Sequence, residues 1–470
     1  VAVIVCVLAQ AVALGVARPA TAATPPNIVV VMVDDMPPGM VDDLPRLRAL
    51  LSERGLSFSS YYTQPVCCPA RASFLRAQYP HNTGVLKNGP PRGGYSAFRN
   101  GGNESSTIAT WLRDAGYRTA LIGKYLNDYE KTPQRVPPGW NRWFVYAGKG
   151  KYRNFLISDQ GNVRAYGKQN GKKKTKEKDY QTDLLARKAV QFINDTPDAA
   201  PLFLFLAPSA PHEPATPAKR HKRAAVVRDQ APRPPSFNEA DMSDKSGVWR
   251  NRDALSGQRI SEIDGFYVKQ VRSMYAVEDM VADVLAALET TNRLDNTYVF
   301  FTSDNGYHHG EHRIPEDKQT PFEEVIRAPL FVLGPGVPAG AGTAARASVV
   351  DLGPTFAELA GIAGPDFVDG RSLVPFLDGG SASGWREAVI AELEGGAGGG
   401  FVALRSGPYA YVEYASGAME LYDLDCDPYQ IDNIIDSAPP GLIDDLQDQL
   451  AALAACGASG PSCQEADGGP

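Results

Sequence analysis

The sequence predicts an α/β architecture: a mostly parallel central sheet flanked by helices, then a small C-terminal unit of antiparallel strands and one helix. Three observations carry that reading. Continuous apolar runs of strand length recur through the first two-thirds of the chain, as expected of strands covered on both faces. Segments with helix-like apolar spacing alternate with them. Beyond a Gly/Ser-rich stretch at 378–384, the pattern changes to short, closely spaced strands.

The first run, Asn27–Val33 (NIVVVMV), ends in Asp34-Asp35. The second, 119–123 (TALIG), ends at Lys124. The third, Leu202–Ala207 (LFLFLA), leads on to His212. The fourth, 298–302 (YVFFT), runs into Ser303-Asp304-Asn305-Gly306, and Leu330–Leu333 is the fifth. Helical spacing is found at 106–115, closed by the cap signal Gly116, and at 183–194, 266–290 and 351–360. In open α/β sheets ligands collect beyond the carboxyl ends of the strands, and these strand ends carry polar residues suited to chemistry. In the C-terminal part, Ala388–Glu394, 401–405, Tyr409–Tyr414 and 420–424 read as strands and Leu442–Ala455 as a helix. The expected division is a leader at 1–22, a large catalytic domain at 23–378 and a small subdomain at 385–470.

A chain of 470 residues is long enough for one large domain and a smaller one. With 43% hydrophobic and 21% charged residues it is globular in composition, which excludes global disorder. A formal net charge of -7 argues against broad nucleic-acid binding. Two stretches, 167–178 and 219–235, are locally basic. They read either as solvated surface or as an electrostatic guide for an anionic substrate.

The apolar run 1–16, followed by Arg18, Pro19 and Ala20-Thr21-Ala22, reads as the core and small-residue cleavage site of a secretory signal. The competing reading is a membrane anchor, but the run is shorter than the roughly 20 residues a spanning helix needs. The expectation is therefore an exported protein without stable membrane association. In that compartment Cys456 and Cys463, which flank a short flexible loop, are candidates for a disulfide. Cys68 and Cys426 have no evident partners, and Cys6 falls in the leader.

The segment that carries chemistry is Cys67-Cys68-Pro69-Ala70-Arg71. Pro69 suits the first turn of a helix. Cys67 then sits at that helix's N-terminus, where free N–H groups and the dipole favour an anion. Taken alone, the pentapeptide is equally compatible with a buried cysteine pair or a disulfide. The aspartates Asp34, Asp35 and Asp304, together with Asn305, form an oxygen-rich set without clustered His or thiolate ligands. Such a set selects a hard cation such as Ca²⁺ or Mg²⁺. Two aspartates ending a strand are otherwise simply a water-exposed pair.

From these residues the chain resembles the sulfatase family of the alkaline-phosphatase-like superfamily, and within it the N-acetylglucosamine-6-sulfatase branch. The resemblance runs from Asn27 to about Gly370 through NIVVVMVDD, CCPARASFLRAQYPHNTGV, IGKYLNDY, APHEP, TSDNGYHHGEHRIPEDK and DLGPT. LYDLDCDPYQ resembles the family's C-terminal ending, with Gln430 in place of Glu. The resemblance implies that a formylglycine-generating enzyme oxidises Cys67 to formylglycine, whose hydrate supplies the nucleophile. It also implies that Asp34, Asp35, Asp304, Asn305 and the modified Cys67 bind a divalent cation, usually Ca²⁺. Arg71 would hold the formylglycine hydroxyl. Lys124 and Lys318 would bind sulfate, His212 would protonate the leaving alcohol, and His308 would line the pocket or serve structure.

Two departures stand out. Leu126 occupies a place where many arylsulfatases have histidine, and Leu75-Arg76-Ala77 replaces the usual Leu-Thr-Gly. The implied activity is hydrolysis of sulfate monoesters of sulfated carbohydrates or of aryl sulfates. The alternatives are a phosphodiesterase or phosphonate monoester hydrolase of the same superfamily, and a non-catalytic binder of sulfated glycans. Specificity residues are expected in loops at 129–159 and 212–259.

Overall fold

The computed structural model describes residues 25–148, 152–167, 177–396, 399–457 and 462–466. The expected leader at 1–22, with Cys6 and the cleavage site, lies outside them, as does most of the basic stretch 167–178.

Five parallel strands form the centre of a ten-stranded sheet, in the spatial order Thr297–Ser303, Asn27–Val33, Leu202–Ala207, Arg118–Gly123, Arg142–Tyr146. Period-two alternation sorts their side chains between two cores. Ile28, Val30 and Met32 face one core with Phe74, Ile108 and Phe356. Val29, Val31 and Val33 face the other with Leu185, Met274 and Val277. Helices therefore cover both faces: Cys67–Arg76, Ile108–Asp114 and Leu352–Leu359 on one side, Pro45–Leu50, Gln181–Asn194 and Gly257–Thr290 on the other.

The sheet's margins differ from the sequence expectation. Leu330–Leu333 pairs antiparallel to Thr297–Ser303, extending an otherwise parallel centre. The region 129–159, expected to be a specificity loop, contains the central strand Arg142–Tyr146 and the antiparallel strand Phe155–Asp159, and Asn162–Tyr166 follows. Arg142–Tyr146 shows no polar face because it is buried on both sides, with Trp143 and Val145 in one core and Phe144 and Tyr146 in the other. Trp143 and Tyr129 are buried and in T-shaped contact at 5.4 Å. The long helix starts at Gly257, well before position 266, capped by Ser256, which accepts from the Arg259 N–H at 3.2 Å. Its first turns are polar and carry little apolar periodicity.

The C-terminal strands Ala388–Glu394, Gly400–Ser406, Tyr409–Tyr414 and Met419–Asp423 form a four-stranded antiparallel sheet, against which helix Leu442–Ala455 packs. A disulfide joins Cys456 to Cys463, while Cys67, Cys68 and Cys426 are free. Among the described residues, no helix is long and apolar enough to cross a membrane.

Candidate active site

Three parallel strands, two adjacent and the third one strand removed, deliver polar residues to one end of the sheet. Val33 and Ser303 are in register, so Asp34-Asp35 and Asp304-Asn305 leave adjacent strands side by side. Asp35 adopts a left-handed backbone (φ 69°), a conformation aspartate tolerates better than most residues. On the far side Gly123 (φ 126°) is obligatory, because a Cβ there would lie 2.0 Å from the Ala207 carbonyl oxygen. The tight turn lets the Lys124 N–H donate to that carbonyl at 2.7 Å and aims the lysine across the strand ends.

Cys67 enters from the N-terminus of helix Cys67–Arg76. No side chain within the helix caps it; instead Asn88 accepts from the Cys68 N–H at 2.8 Å. One ligand atom from each of Asp34, Asp35, Cys67 and Asp304 fits within a 4.8 Å cluster, all four residues buried. Cys67 Sγ lies 3.5 Å from Asp34 Oδ1 and 2.8 Å from Lys318 Nζ. Burial and the Asp34 charge push its thiol up to about 12.

Cations interleave with the carboxylates. Arg71 Nε donates to Asp304 Oδ2 at 2.7 Å, and both side chains are buried. Lys124 pairs with Asp34 and lies 3.8 Å from Asp304, and Lys318 pairs with Asp35. Burial opposes ionisation of Asp34, but Lys124, His212, Lys318 and Arg71 together hold its carboxyl far below the usual range. Asp304 is raised instead, by burial and by the Asp34 charge, against the pull of Arg71. Asn305 Nδ2 donates to Asp35 Oδ1 at 2.6 Å, whereas its buried Oδ1 has no hydrogen-bond partner.

His212 stands at the rim, its side chain 38% exposed and its Nε2 3.8 Å from Asp35 Oδ2. The structure does not bring His308 into contact with the cluster. Its ring is fully buried, with Nε2 2.8 Å from Thr320 Oγ1 and Nδ1 3.7 Å from Glu311, beside Phe322 and His312. Its N–H donates to the Asp317 carbonyl at 2.9 Å, and the Gln319 N–H donates to Pro65 at 3.2 Å. Lys318 is thus held between the His308 turn and the segment preceding Cys67. Sequence reasoning missed the supports around the cluster. Thr63 Oγ1 donates to the Asp304 carbonyl at 2.6 Å, and Ser303 Oγ accepts from the Met36 N–H at 3.0 Å. Ser303 adjoins the strand-end motif and could have been flagged; Thr63 and Asn88 carry no local signal.

A cleft of about 370 Å³ opens above the cluster, lined by Asp34, Lys124, His212, Asn88, Tyr146 and Ser209, with Asp128, Glu130 and Glu213 along its walls.

A mostly parallel sheet with the Cys67 helix, a carboxylate cluster and basic side chains at its strand ends defines a hydrolase of the alkaline-phosphatase-like fold. The Sulfatase family model matches residues 26–362, and the model described as N-sulphoglucosamine sulphohydrolase, C-terminal, matches 310–455. The chain belongs to the sulfatase family, enzymes that hydrolyse sulfate esters. It is 32% identical to human N-acetylglucosamine-6-sulfatase over 96% of this chain and 88% of that protein. It is 28% identical to an arylsulfatase of Volvox carteri over 93% of this chain and 75% of that protein. Among solved structures it resembles BT4656 in complex with its substrate D-glucosamine-2-N,6-O-disulfate (TM-score 0.77, 22% identity, 91% of this chain and 97% of that one). It also shares its fold with a phosphonate monoester hydrolase of Agrobacterium radiobacter (TM-score 0.71, 20% identity, 91% and 96%).

Proposed function

We propose that the protein removes sulfate from sulfated sugars of the glucosamine-6-sulfate type, using formylglycine made from Cys67 and a divalent cation held by Asp34, Asp35, Asp304 and Asn305. The observation that carries the reading is the burial of Cys67 in one cluster with three aspartates from two adjacent strand ends. The donor set fits a hard cation: oxygen ligands dominate, and Asn305 Oδ1 is buried without a partner. The family resemblance favours calcium, with magnesium the alternative the same donors would accept. Bound there, the cation would polarise an oxygen of the sulfate ester, and a formylglycine hydrate would offer one hydroxyl to attack sulfur and another to expel sulfate.

The chain's own residues supply the rest. The overall reaction is R–O–SO₃⁻ plus water giving R–OH plus hydrogen sulfate. Arg71, fixed by Asp304, holds a guanidinium beside residue 67. Lys124 and Lys318 place two ammonium groups where a sulfate's oxygens would lie, opposing the charge that grows in the transition state. His212, at the mouth, is the group suited to give a proton to the departing alcohol oxygen. His308 is a positioning residue: its Thr320 and Asp317 contacts close the turn that carries Lys318.

Two relatives are named as extracellular sulfatases, one of them, of Drosophila melanogaster, 32% identical over 79% of this chain and 33% of that protein. With the apolar leader, this supports export, and maturation by a formylglycine-generating enzyme before it. The division at 378–385 between a catalytic domain and a C-terminal subdomain follows the change from the ten-stranded to the four-stranded sheet.

Mass spectrometry of the peptide spanning Cys67, from native-host protein, tests the modification. Mass loss from thiol to aldehyde is expected, and an unmodified thiol with intact glycan affinity would instead indicate a binding protein. Rates on 4-nitrophenyl sulfate, glucosamine 6-sulfates and nitrophenyl phosphodiesters, before and after chelation and calcium return, test the reaction. Dominant phosphodiester turnover would assign the site to the phosphonate-hydrolase chemistry of its fold neighbours.

A further inference from the structure

We infer that the basic pocket beside the cleft is a subsite for a second anionic group on the substrate, so that the enzyme acts on sulfated oligosaccharides in preference to single sulfated sugars. This rests on the proposed sulfatase reading. The pocket, about 820 Å³, is lined by Arg153, Lys219, Arg220, Lys222 and Arg223 against a single acid, Glu177. In a chain whose net charge is -7, such a concentration of cations is not the average surface.

The ion pairs separate structural cations from available ones. Arg220 is consumed by Asp183 and Asp279, each at 2.8 Å, and Arg153 lies 3.3 Å from Glu177. The side chains of Lys219, Lys222 and Arg223 are exposed and take part in no ion pair among the described residues. Three ammonium or guanidinium groups thus converge on a concave surface with only one partly engaged carboxylate among them.

The pocket and the cleft are lined by neighbouring stretches of the chain. One segment lines both: Ser209, His212 and Glu213 face the cleft, while Thr216, Pro217 and Lys219 face the basic pocket. From Glu213 to Thr216 the chain can span at most about 11 Å. Two buried tyrosines pin it. Tyr152 donates to the His212 carbonyl at 2.7 Å, and Tyr180 donates to the Thr216 carbonyl at 2.9 Å. The two sites therefore keep a fixed separation, which a flexible basic loop would not provide.

Charge distinguishes their occupants. Apart from Lys124 and His212, the cleft's ionisable lining is acidic, with Asp128, Glu130 and Glu213 on its walls. Those walls suit a hydroxyl- or amine-bearing sugar whose one sulfate reaches the buried lysines. They repel further sulfates or carboxylates, which the adjoining pocket attracts. The ligand class is thus a polyanionic glycan whose terminal unit enters the cleft and whose next units lie over Lys219, Lys222 and Arg223.

The test is a K219Q/K222Q/R223Q variant of the full chain. In a Cys67→Ala background, where the substrate is not consumed, calorimetry should show at least a tenfold loss of affinity for a heparin-derived hexasaccharide and a weaker salt dependence. With Cys67 retained, kcat/KM for 4-nitrophenyl sulfate should be unchanged, while that for a sulfated oligosaccharide falls by a similar factor. Unchanged hexasaccharide affinity, or an equal fall on both substrates, overturns the subsite. Salt sensitivity of the unmodified surface is a second measure: hexasaccharide affinity that does not weaken with added salt also overturns it. If no sulfate ester is hydrolysed yet hexasaccharide binding still depends on the three cations, the catalytic reading fails and the subsite stands.

Discussion

Two buried carboxylates, Asp304 and Asp351, each face a buried arginine, and their surroundings differ in what they leave unmet. Asp351 is saturated by its own chain. Its Oδ2 accepts from the Ser348 N–H at 2.7 Å and Arg386 at 3.0 Å, and its Oδ1 accepts from the Arg371 N–H at 2.9 Å and faces Arg386 at 2.7 Å. Asp304 has Arg71 on one oxygen and only a long 3.4 Å contact from the Asp35 N–H on the other, with Asp34 and Asp35 crowding it and Asn305 Oδ1 unpartnered. A buried charge satisfied from within is architecture. One that the fold leaves partly unsatisfied is where, under the proposed function, a cation would complete the coordination.

The comparison can be broken or sharpened experimentally. The largest expected effect is on chemistry: Cys67→Ala should lower sulfatase kcat by about 10⁴-fold or more while leaving the thermal midpoint close to that of the unmodified chain. A residual rate within tenfold would remove residue 67 from the mechanism. On the closed side, Arg386→Met strands Asp351 in the core, and denaturant titration should show a loss of about 3–5 kcal/mol. A loss below about 1 kcal/mol would mean that the backbone donors suffice.

A third buried acid tests partial satisfaction without a metal. Glu278, on the long helix, accepts from the Leu47 N–H at 2.9 Å, and burial raises its carboxyl to about 7. Its folded value exceeds its unfolded value, so the protonated form is favoured by folding. Its contribution is greatest below about 4.5 and is lost as the pH rises toward 7, a fall of about 3 kcal/mol. Glu278→Gln should flatten that part of the stability-versus-pH curve, and an unchanged slope would refute the assignment. Calcium at a hundredfold excess over its dissociation constant should stabilise the protein by about 2.7 kcal/mol, with little effect on Asp304→Asn. Equal stabilisation of both would place the ion elsewhere.

The smallest effect concerns Ala77, the left-handed cap of the Cys67 helix (φ 57°), where the family resemblance leads one to expect glycine. Ala77→Gly should stabilise by about 0.5–1 kcal/mol in chemical denaturation, since glycine carries no Cβ penalty there. A destabilised variant would show that packing of the Ala77 methyl near Gly353 outweighs backbone strain.

The sequence by itself determined four of the five inner strands, because strands buried on both faces read as continuous apolar runs; the fifth, Arg142–Tyr146, fell in an expected loop. It also determined which polar residues end those strands, and through the ordered motifs the family. Local residues could not reveal that Leu330–Leu333 runs antiparallel, since an apolar run has no direction. Nor could they reveal that 142–166 builds one inner strand and two antiparallel margin strands rather than a loop, because strand pairing depends on segments distant in the chain. His308 is the clearest case among candidate site residues: its motif placed it near Asp304, but the turn to Asp317 and Thr320 buries its ring away from the carboxylates. Only the tertiary structure decided which histidine reaches the cleft and which basic residues remain unpaired beside it, because both depend on contacts between segments far apart in the chain.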